Sequence, residues 1–396
     1  MRLAVIVMAN LLVSASSAAE PLLEKADLFE AGKDGYALYR IPGLVVTKQG
    51  TLLAYCEARK RAGGDWGTID ILLRRSTDGG KTWEAARKIA EVSGPFTKNP
   101  AALAQKLATA DEVTYNNPVA IVDRKDGAVH FLFCLEYMRC FSMRSDDDGK
   151  TFTKPVEITP TFEKFRKDYD WKVIATGPAH GIQLANGRLV LPVWLSTSEG
   201  GHAHRPSIVS TIYSDDAGKT WERGEVAAWN TPELINPNET IITQLTDGRV
   251  MLNIRSESKS HRRAVSFSKD GSTRWTKPAF DDALLEPICM ASIIRYGDKP
   301  ASLIFANPHN LEREKARPGQ SRDRKNLTVK LSEDDGKTWP TSKPLEPGFS
   351  GYSDLAVGPD GSIYCFYERG STDGKDNYRT GSLCLAKFNL EWLKAK

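Results

Sequence analysis

Short runs of alternating apolar and polar residues follow one another along most of the chain, and many of them end in a polar turn. The segment 69–73 (Ile-Asp-Ile-Leu-Leu) and the segment 208–213 (Ile-Val-Ser-Thr-Ile-Tyr) are typical examples. Alternation with a period of two predicts β-strands that place one face in a core. Helical signals are few, and the segment 100–111 predicts a short helix or an ordered loop. The pattern as a whole predicts an all-β fold.

The turn after many of these runs is a repeated segment of the form Ser-x-Asp-x-Gly-x-Thr-Trp. In such a turn the Asp accepts hydrogen bonds from nearby backbone N–H groups, and the Gly takes a positive φ. The starts of successive copies lie 69, 69, 54 and 64 residues apart, which fits one small sheet per copy. We expect these repeated turns, called boxes below, to shape hairpins and not to form catalytic or binding sites. The copies are 76–83, 145–152, 214–221, the degraded 268–275, and 332–339.

The first 20 residues have the pattern of a secretory signal peptide. One Arg is followed by an apolar run from Leu3 to Val13 and by small residues that end at Ala19. The apolar run is too short to span a bilayer, and no later segment is longer. We expect a signal peptide over 1–19, one domain over 20–396 without a membrane span, and a secreted or periplasmic location.

Charge and composition exclude several classes of function. A net charge of +4, with Lys and Arg interleaved with Asp and Glu, points neither to nucleic acid nor to a membrane surface. The six cysteines include no Cys-x-x-Cys pair, and several lie in apolar runs where Cys acts as a small buried hydrophobe; disulfides stay open. The six histidines show no metal-ligand spacing. We expect no metal and no organic cofactor.

The repeated turn resembles the Asp box of the sialidase (neuraminidase) superfamily, and the resemblance extends from about Asp27 to the C-terminus. It implies a six-bladed β-propeller, the sialidase fold, with Asp-box turns. Asp boxes also occur in propellers that only bind, so the evidence for a function has to come from other residues.

The N-terminal part carries three candidate site residues. Arg40, in Tyr-Arg-Ile-Pro-Gly, resembles the first of the three arginines that hold the substrate carboxylate in this superfamily. Asp65, in the Gly-flanked loop 62–67, resembles its general acid and base. Asp70 is the competitor, but it alternates with apolar residues in a predicted strand and ranks below Asp65. Arg59 resembles an accessory substrate-contacting arginine.

A predicted hairpin carries two more candidates. Glu239 precedes the mostly apolar run 240–245, an Asp-Gly turn follows at 247–248, and the return strand ends at Arg255. A hairpin of this length brings Glu239 and Arg255 to the same end. The pair resembles the catalytic Glu and the second carboxylate-binding Arg of the superfamily.

The C-terminal part completes the resemblance. Arg324, which precedes Asn-Leu-Thr-Val, is the best match to the third arginine, and Arg322 is the second choice. Tyr352, in Tyr-Ser-Asp-Leu, resembles the nucleophile. Glu368 resembles the residue that pairs with the first arginine and holds it in place.

Two further loop-like segments, 115–118 and 176–182, are expected to line the pocket. The second contains His180, which has the chemistry of a base. A loop histidine is more often a satisfied structural residue, so we leave His180 out of the catalytic set.

These residue types suit a sialic acid, which carries a carboxylate on its anomeric carbon. Arginine binds carboxylates through two parallel hydrogen bonds. A carboxylate nucleophile would be repelled by the substrate, which explains a tyrosine. A phenol has an ordinary pKa of about 10, so it needs a base within hydrogen-bond reach.

The resemblance implies a retaining exo-α-sialidase that acts on terminal sialic acids of glycans. We expect a monomer. The alternatives are a trans-sialidase, a hydrolase of a related nonulosonic acid, and a non-catalytic sialic-acid-binding propeller. The last alternative predicts the loss of at least one of Tyr352, Glu239 or Asp65, and all three are present.

Overall fold

The computed structural model describes residues 19–312, 323–370 and 379–395. The expected signal peptide, apart from its last residue, and Arg322 lie outside the described residues. Within the described ranges the chain forms 25 strands and three short helices, numbered in chain order. The all-β prediction is confirmed. Of the short helix or ordered loop expected over 100–111, the first five residues form a helix.

The elements alternate between long strands and short outer ones. The first part contains β1 (Leu23–Glu30), β2 (Leu38–Val46), β3 (Leu52–Arg59), β4 (Ile69–Ser76), β5 (Arg87–Lys88), α1 (Pro100–Ala104), β6 (Tyr115–Val122), β7 (Val129–Leu135), β8 (Arg139–Ser145), β9 (Val156–Glu157) and α2 (Thr159–Glu163). The middle part contains β10 (Val173–Thr176), β11 (Ala179–His180), β12 (Ile182–Gln183), β13 (Leu189–Ser196), β14 (Ser207–Ser214), β15 (Glu222–Arg223), β16 (Thr240–Gln244), β17 (Val250–Ile254), β18 (Arg262–Ser268) and β19 (Ala279–Leu285). The last part contains β20 (Ser292–Asp298), β21 (Ala301–Pro308), β22 (Lys325–Ser332), β23 (Thr341–Val357), β24 (Ile363–Gly370), β25 (Thr380–Phe388) and α3 (Leu390–Lys394).

The strands pair into small antiparallel sheets that follow the chain. Two sheets have the orders β2-β3-β4-β5 and β16-β17-β18-β19. Two others are β6-β7-β8-β9, with β11 added parallel to β6, and β10-β13-β14-β15, with β12 added to β13. The fifth has seven strands in the order β1-β25-β24-β23-β22-β21-β20. Its central strand β23 is 17 residues long, and its first half pairs with β22 while its second half pairs with β24.

All five Asp boxes form the turns that join the third and fourth strands of these antiparallel groups. In the first box the Asp78 carboxylate accepts from the Thr82 N–H at 2.9 Å and from its hydroxyl at 2.6 Å. The degraded fourth box keeps the same bonds, because Asp270 accepts from the N–H and the hydroxyl of Thr273 at 2.8 and 2.7 Å. The boxes act as hairpin turns, as expected from their sequence.

The apolar core lies between neighbouring sheets. Tyr55 of β3 packs edge-on against Phe131 of β7, with ring centroids 5.0 Å apart. The last sheet packs on the first, since Phe366 of β24 shares a cluster with Leu44 of β2. All six cysteines are buried free thiols. None of the helices in the described ranges is long and apolar enough to cross a membrane.

Strand β2 contacts both β6 and β23, and all three strands carry β-bulges that position the site. Pro42 and Pro118 lie in two of them, and proline has no N–H to give to a ladder. Bulges are frequent beside active sites because they re-aim a side chain. The bulges lie at 40–43 in β2, 116–119 in β6 and 350–353 in β23.

Buried carboxylates accept the backbone N–H groups that the bulges release. Glu368, fully buried, accepts from the N–H of Ile41 and from the N–H of Tyr352, both at 3.2 Å. Glu57, also fully buried, accepts from the N–H of Asn117 at 2.9 Å. A buried N–H without an acceptor is costly, so these two carboxylates stabilise the bulged conformations.

Candidate active site

Tyr352 and Glu239 share a short hydrogen bond in a buried position. The Tyr352 hydroxyl lies 2.6 and 2.7 Å from the two carboxylate oxygens of Glu239 and donates to that group. Nη1 of Arg255 donates to the same hydroxyl at 2.8 Å and pairs with Glu239. The predicted hairpin accounts for this, because Thr240 faces Ile254 across β16 and β17.

Arg40 is held by Glu368. Its Nε and Nη2 donate to the two carboxylate oxygens of Glu368 at 2.9 and 3.3 Å. Because Glu368 also accepts the N–H of Tyr352, one carboxylate fixes the arginine and the tyrosine backbone together. This is the pairing that the resemblance implied.

Three guanidinium groups surround the Tyr352 ring. The Cζ atoms of Arg40 and Arg324 lie 5.0 Å from its centroid, and that of Arg255 lies 6.0 Å away. Nη2 of Arg324 donates to the carbonyl oxygen of Ile288 at 2.9 Å, which orients this side chain. Three convergent cations of this kind form a site for a carboxylate.

Asp65 faces the same cavity from the loop between β3 and β4. Its Oδ1 lies 2.8 Å from Nη1 of Arg59 and 3.8 Å from Nη1 of Arg40. Its side chain is 41% exposed, so a ligand can reach it. Asp70 lies elsewhere, since it contacts Tyr36 and Lys88.

Arg59 does not line the cavity. Its guanidinium is buried and donates to Glu57 at 2.6 Å, to the Gly64 carbonyl at 2.7 Å and to Asp65 at 2.8 Å. In this position Arg59 lies behind Asp65, and its contact with a substrate stays a prediction. Burial raises the pKa of Glu57, and Arg59 opposes that effect.

The charges around Asp65 keep it ionised. Burial alone would raise the pKa of Asp65, but Arg59 and Arg40 hold it below its usual range. His204 stands nearby and is neutral at pH 7, because burial among aromatic rings lowers its pKa to about 4. In the absence of a ligand Asp65 is therefore a carboxylate.

An aromatic wall closes one side of the cavity, which has a volume of about 160 Å³. The imidazole of His204 lies 5.0 Å from the ring of Tyr137, 5.2 Å from Trp194 and 5.4 Å from Trp66. Polar and charged residues form the rest. The cavity is lined by Arg40, Ile41, Asp65, Asn117, Tyr137, Trp194, His202, His204, Arg205, Asn238, Glu239, Arg255, Glu257, Arg324 and Tyr352.

A second cavity of about 880 Å³ lies at the opposite ends of the same inner strands. His180 lines this second cavity, where its Nδ1 lies 2.6 Å from the Asp354 carboxylate. The structure thus places His180 away from Tyr352. Within the described ranges no three His, Cys, Asp or Glu side chains are grouped closely enough to hold a metal ion.

Of the eight predicted site residues, six line one cavity, Glu368 lies behind Arg40 and Arg59 lies behind Asp65. Sequence reasoning missed Glu57, Tyr137, His204 and Glu257. The prolines in Arg-Ile-Pro and Asn-Asn-Pro mark the bulges, and could have indicated that a buried acceptor such as Glu57 was needed. No comparable signal marks the aromatic wall.

Comparison with protein families gives two matches. A BNR repeat-like domain matches residues 99–365, and a BNR/Asp-box repeat matches residues 74–85. The first of these covers well over half of the chain, and the second includes the first box described above.

Curated relatives and a solved structure agree with these matches. A sialidase of Micromonospora viridifaciens is 31% identical over 94% of this chain and 55% of the relative. A sialidase of Bacteroides fragilis is 31% identical over 85% of this chain and 61% of the relative, so the chain spans less than two thirds of both. The structure of the Hadza microbial sialidase Hz136 is similar with a TM-score of 0.73 at 26% identity, over 93% of this chain and 69% of that one. The chain therefore belongs to the BNR repeat-like family, and it is similar to bacterial sialidases.

Proposed function

We propose that the protein is a retaining exo-α-sialidase that releases terminal α-linked sialic acids from glycans through a covalent intermediate on Tyr352. The observation that carries the proposal is the buried Tyr352 hydroxyl, bonded to the Glu239 carboxylate and surrounded by three guanidinium groups. A buried tyrosine that only packs in the core does not need three guanidinium groups around its ring, whereas a tyrosine that faces an anionic substrate does.

The substrate carboxylate binds between Arg40, Arg255 and Arg324. Arg40 offers a planar donor set whose orientation is fixed by Glu368. The carboxylate is attached to the anomeric carbon, so this contact places that carbon beside the Tyr352 hydroxyl. Positioning of this kind supplies a large share of a rate enhancement.

In the first half of the reaction the Tyr352 oxygen attacks the anomeric carbon. Glu239 removes the phenolic proton along the existing 2.6 Å hydrogen bond. Arg255 donates to the same oxygen and stabilises the phenolate character that develops. Asp65 gives a proton to the departing glycosidic oxygen.

In the second half Asp65 acts as a base and activates a water molecule against the tyrosyl intermediate. The Tyr352 oxygen leaves and regains its proton from Glu239. Two displacements at the same carbon retain the anomeric configuration.

Substrate binding prepares Asp65 for its first role. The guanidinium of Arg40 lies 3.8 Å from the Asp65 carboxylate and helps to keep it ionised. A substrate carboxylate bound to Arg40 offsets part of that positive charge. The pKa of Asp65 rises as a result, which favours the protonated form in the complex. The two roles of Asp65 follow from this change of charge.

The proposal includes a six-bladed propeller as the scaffold, in one domain over 20–396 after the signal peptide. Division of the seven-stranded sheet at the middle of β23 gives six groups of four strands or slightly more. Packing of the last group on the first supports closure. We propose sialylated glycans as substrates and a monomer as the working form, with a secreted or periplasmic location.

The test is the release of 4-methylumbelliferone from its α-sialoside by the wild type and by Tyr352→Phe. Tyr367→Phe is the matched control, because its buried hydroxyl bonds Glu346 on an adjacent strand of the same sheet. We expect activity in the wild type and the control, and a loss of at least about 100-fold in Tyr352→Phe. A silent wild type that still binds sialic acid would contradict the proposal and favour a binding propeller or another nonulosonic acid. Product analysis on a sialylated oligosaccharide separates hydrolysis from transfer.

A further inference from the structure

The loop that carries Asp65 has little packing of its own at its tip. Residues 60–64 are exposed, and a Cβ atom added at Gly63 or Gly64 would meet no atom within 4 Å. Trp66 and Gly67, which follow Asp65, are buried. The position of the Asp65 carboxylate therefore depends on the bonds made by the residues beside it.

Three carbonyl groups of the loop, on either side of Asp65, are anchored by side chains. Arg59 donates to the Gly64 carbonyl at 2.7 Å. The ammonium of Lys98 donates to the Trp66 carbonyl at 2.8 Å, and the Thr114 hydroxyl donates to the Gly67 carbonyl at 2.7 Å. Lys98 thus binds the carbonyl of the residue that directly follows Asp65.

Lys98 is itself buried and held from several sides. Its side chain is 1% exposed, and its ammonium lies 3.0 Å from the Glu136 carboxylate, whose side chain is 2% exposed. It also donates to the Thr114 hydroxyl at 2.9 Å and to the Glu112 carbonyl at 3.0 Å. The next residue, Tyr137, packs its ring 4.5 Å from the Trp66 ring. The turn at 136–137 therefore supports both the backbone and the side chain of Trp66.

A buried ion pair is weak evidence for a role in stability, because apolar residues of similar size often serve as well. A cation donating to the carbonyl next to a catalytic acid serves geometry better than an apolar residue would. We propose that Lys98 is a positioning residue for Asp65, which acts through the backbone of residues 65–67. The role rests on the proposed function of Asp65 as general acid.

The test compares two sialosides whose leaving groups differ in their need for a proton. The alcohol of 3′-sialyllactose leaves slowly unless Asp65 protonates it, whereas 4-nitrophenol leaves from its α-sialoside without a proton. We expect Lys98→Met to lower kcat/KM for sialyllactose by about 100-fold, the cost of a misplacement of about 1 Å. For the 4-nitrophenyl sialoside we expect a loss below about 5-fold, because general acid catalysis contributes little there.

Arg75→Met is the matched control. Arg75 is equally buried and bonds Asp148 at the other end of β4, far from the loop. A purely structural effect lowers kcat/KM for both substrates by the same factor. We expect equal losses in Arg75→Met and unequal losses in Lys98→Met.

Equal losses on the two substrates in Lys98→Met would overturn the role of Lys98 while the proposed function stands. A wild type inactive on both substrates would overturn the proposed function and this role with it. If Lys98→Met does not fold, Thr114→Val tests the same anchor, because it keeps the shape and removes the hydroxyl between Lys98 and Gly67. We expect Thr114→Val to show the same substrate dependence, and equal losses there would overturn the proposal.

Discussion

Glu368→Gln is the substitution that best separates the positioning of Arg40 from the stability of the fold. The carboxylate is fully buried and accepts from Arg40 and from the N–H groups of Ile41 and Tyr352. A glutamine keeps one acceptor oxygen and places an amide N–H₂ against groups that are themselves donors. The variant therefore weakens the contact that holds Arg40 and leaves a backbone N–H without its acceptor.

The structure sets the size of the effect. Breaking a buried ion pair costs about 3–5 kcal/mol, and we expect about 3 kcal/mol of unfolding free energy. The lower value applies because the Arg40 side chain is 15% exposed and also faces Asp65 at 3.8 Å. Loss of charge-assisted bonds from a misaligned Arg40 to a ligand carboxylate weakens binding by about 3 kcal/mol, or about 100-fold in Kd.

The assay is isothermal titration with 2-deoxy-2,3-didehydro-sialic acid, together with urea unfolding. Asp354→Asn is the control, because Asp354 is fully buried on β23 and accepts from the Leu44 N–H at 2.8 Å. Asp354 also contacts His180 and Ser292, and none of these three residues lines the cavity that contains the arginines. We expect similar destabilisation in both variants and weaker binding only in Glu368→Gln. Wild-type affinity in a folded Glu368→Gln, or an equal loss in Asp354→Asn, would refute the reasoning.

Three further predictions follow from the site and from the boxes. Arg324→Lys should lower kcat/KM by about 100-fold in the sialoside assay, because lysine cannot make the bidentate contact with a carboxylate; a change below about 3-fold would contradict this role. Binding of the same inhibitor should be accompanied by proton uptake, because the ligand carboxylate on Arg40 raises the pKa of Asp65. The uptake should increase as the pH falls from 7 toward 4. Calorimetric titration in buffers of different ionisation enthalpy measures this uptake, and it should be absent in Asp65→Asn. In the third box burial acts to raise the pKa of Asp216, but bonds from Thr220 lower it to about 2. A lowered folded-state pKa stabilises the fold above the unfolded pKa of about 3.9 and loses that effect as the pH falls toward 2. Asp216→Ala should therefore lower urea stability at pH 7 and much less near pH 2, and an equal effect at both values would contradict the account.

Local patterns were enough to predict the parts of the fold that depend on local chemistry. The boxes predicted hairpin turns because their hydrogen bonds close within eight residues. The Glu239 and Arg255 pair was predicted for the same reason, since one hairpin fixes both. The pairing of β1 with β25 could not be read from either segment, because it joins residues more than 350 positions apart.

The candidate site also combines residues that stand in local motifs with contacts between distant parts of the chain. Tyr352 and Arg40 stand in motifs of their own, but the carboxylate that joins them is Glu368, whose partners come from two other strands. Arg59 was predicted to contact the substrate because it resembles an accessory arginine of the superfamily, and its sequence position says nothing about its burial. Only the fold shows that the Arg59 guanidinium donates to the buried Glu57 carboxylate and therefore lies behind Asp65.

The most direct test of the account is the identity of the residue that becomes covalently attached to the sugar. We would incubate the protein with 2,3-difluorosialic acid, digest it, and locate the label by tandem mass spectrometry. The account predicts one fluorosialyl group on the peptide that contains Tyr352, at the tyrosine oxygen. A label on Glu239 or Asp65, or none in a preparation that hydrolyses sialosides, would contradict it.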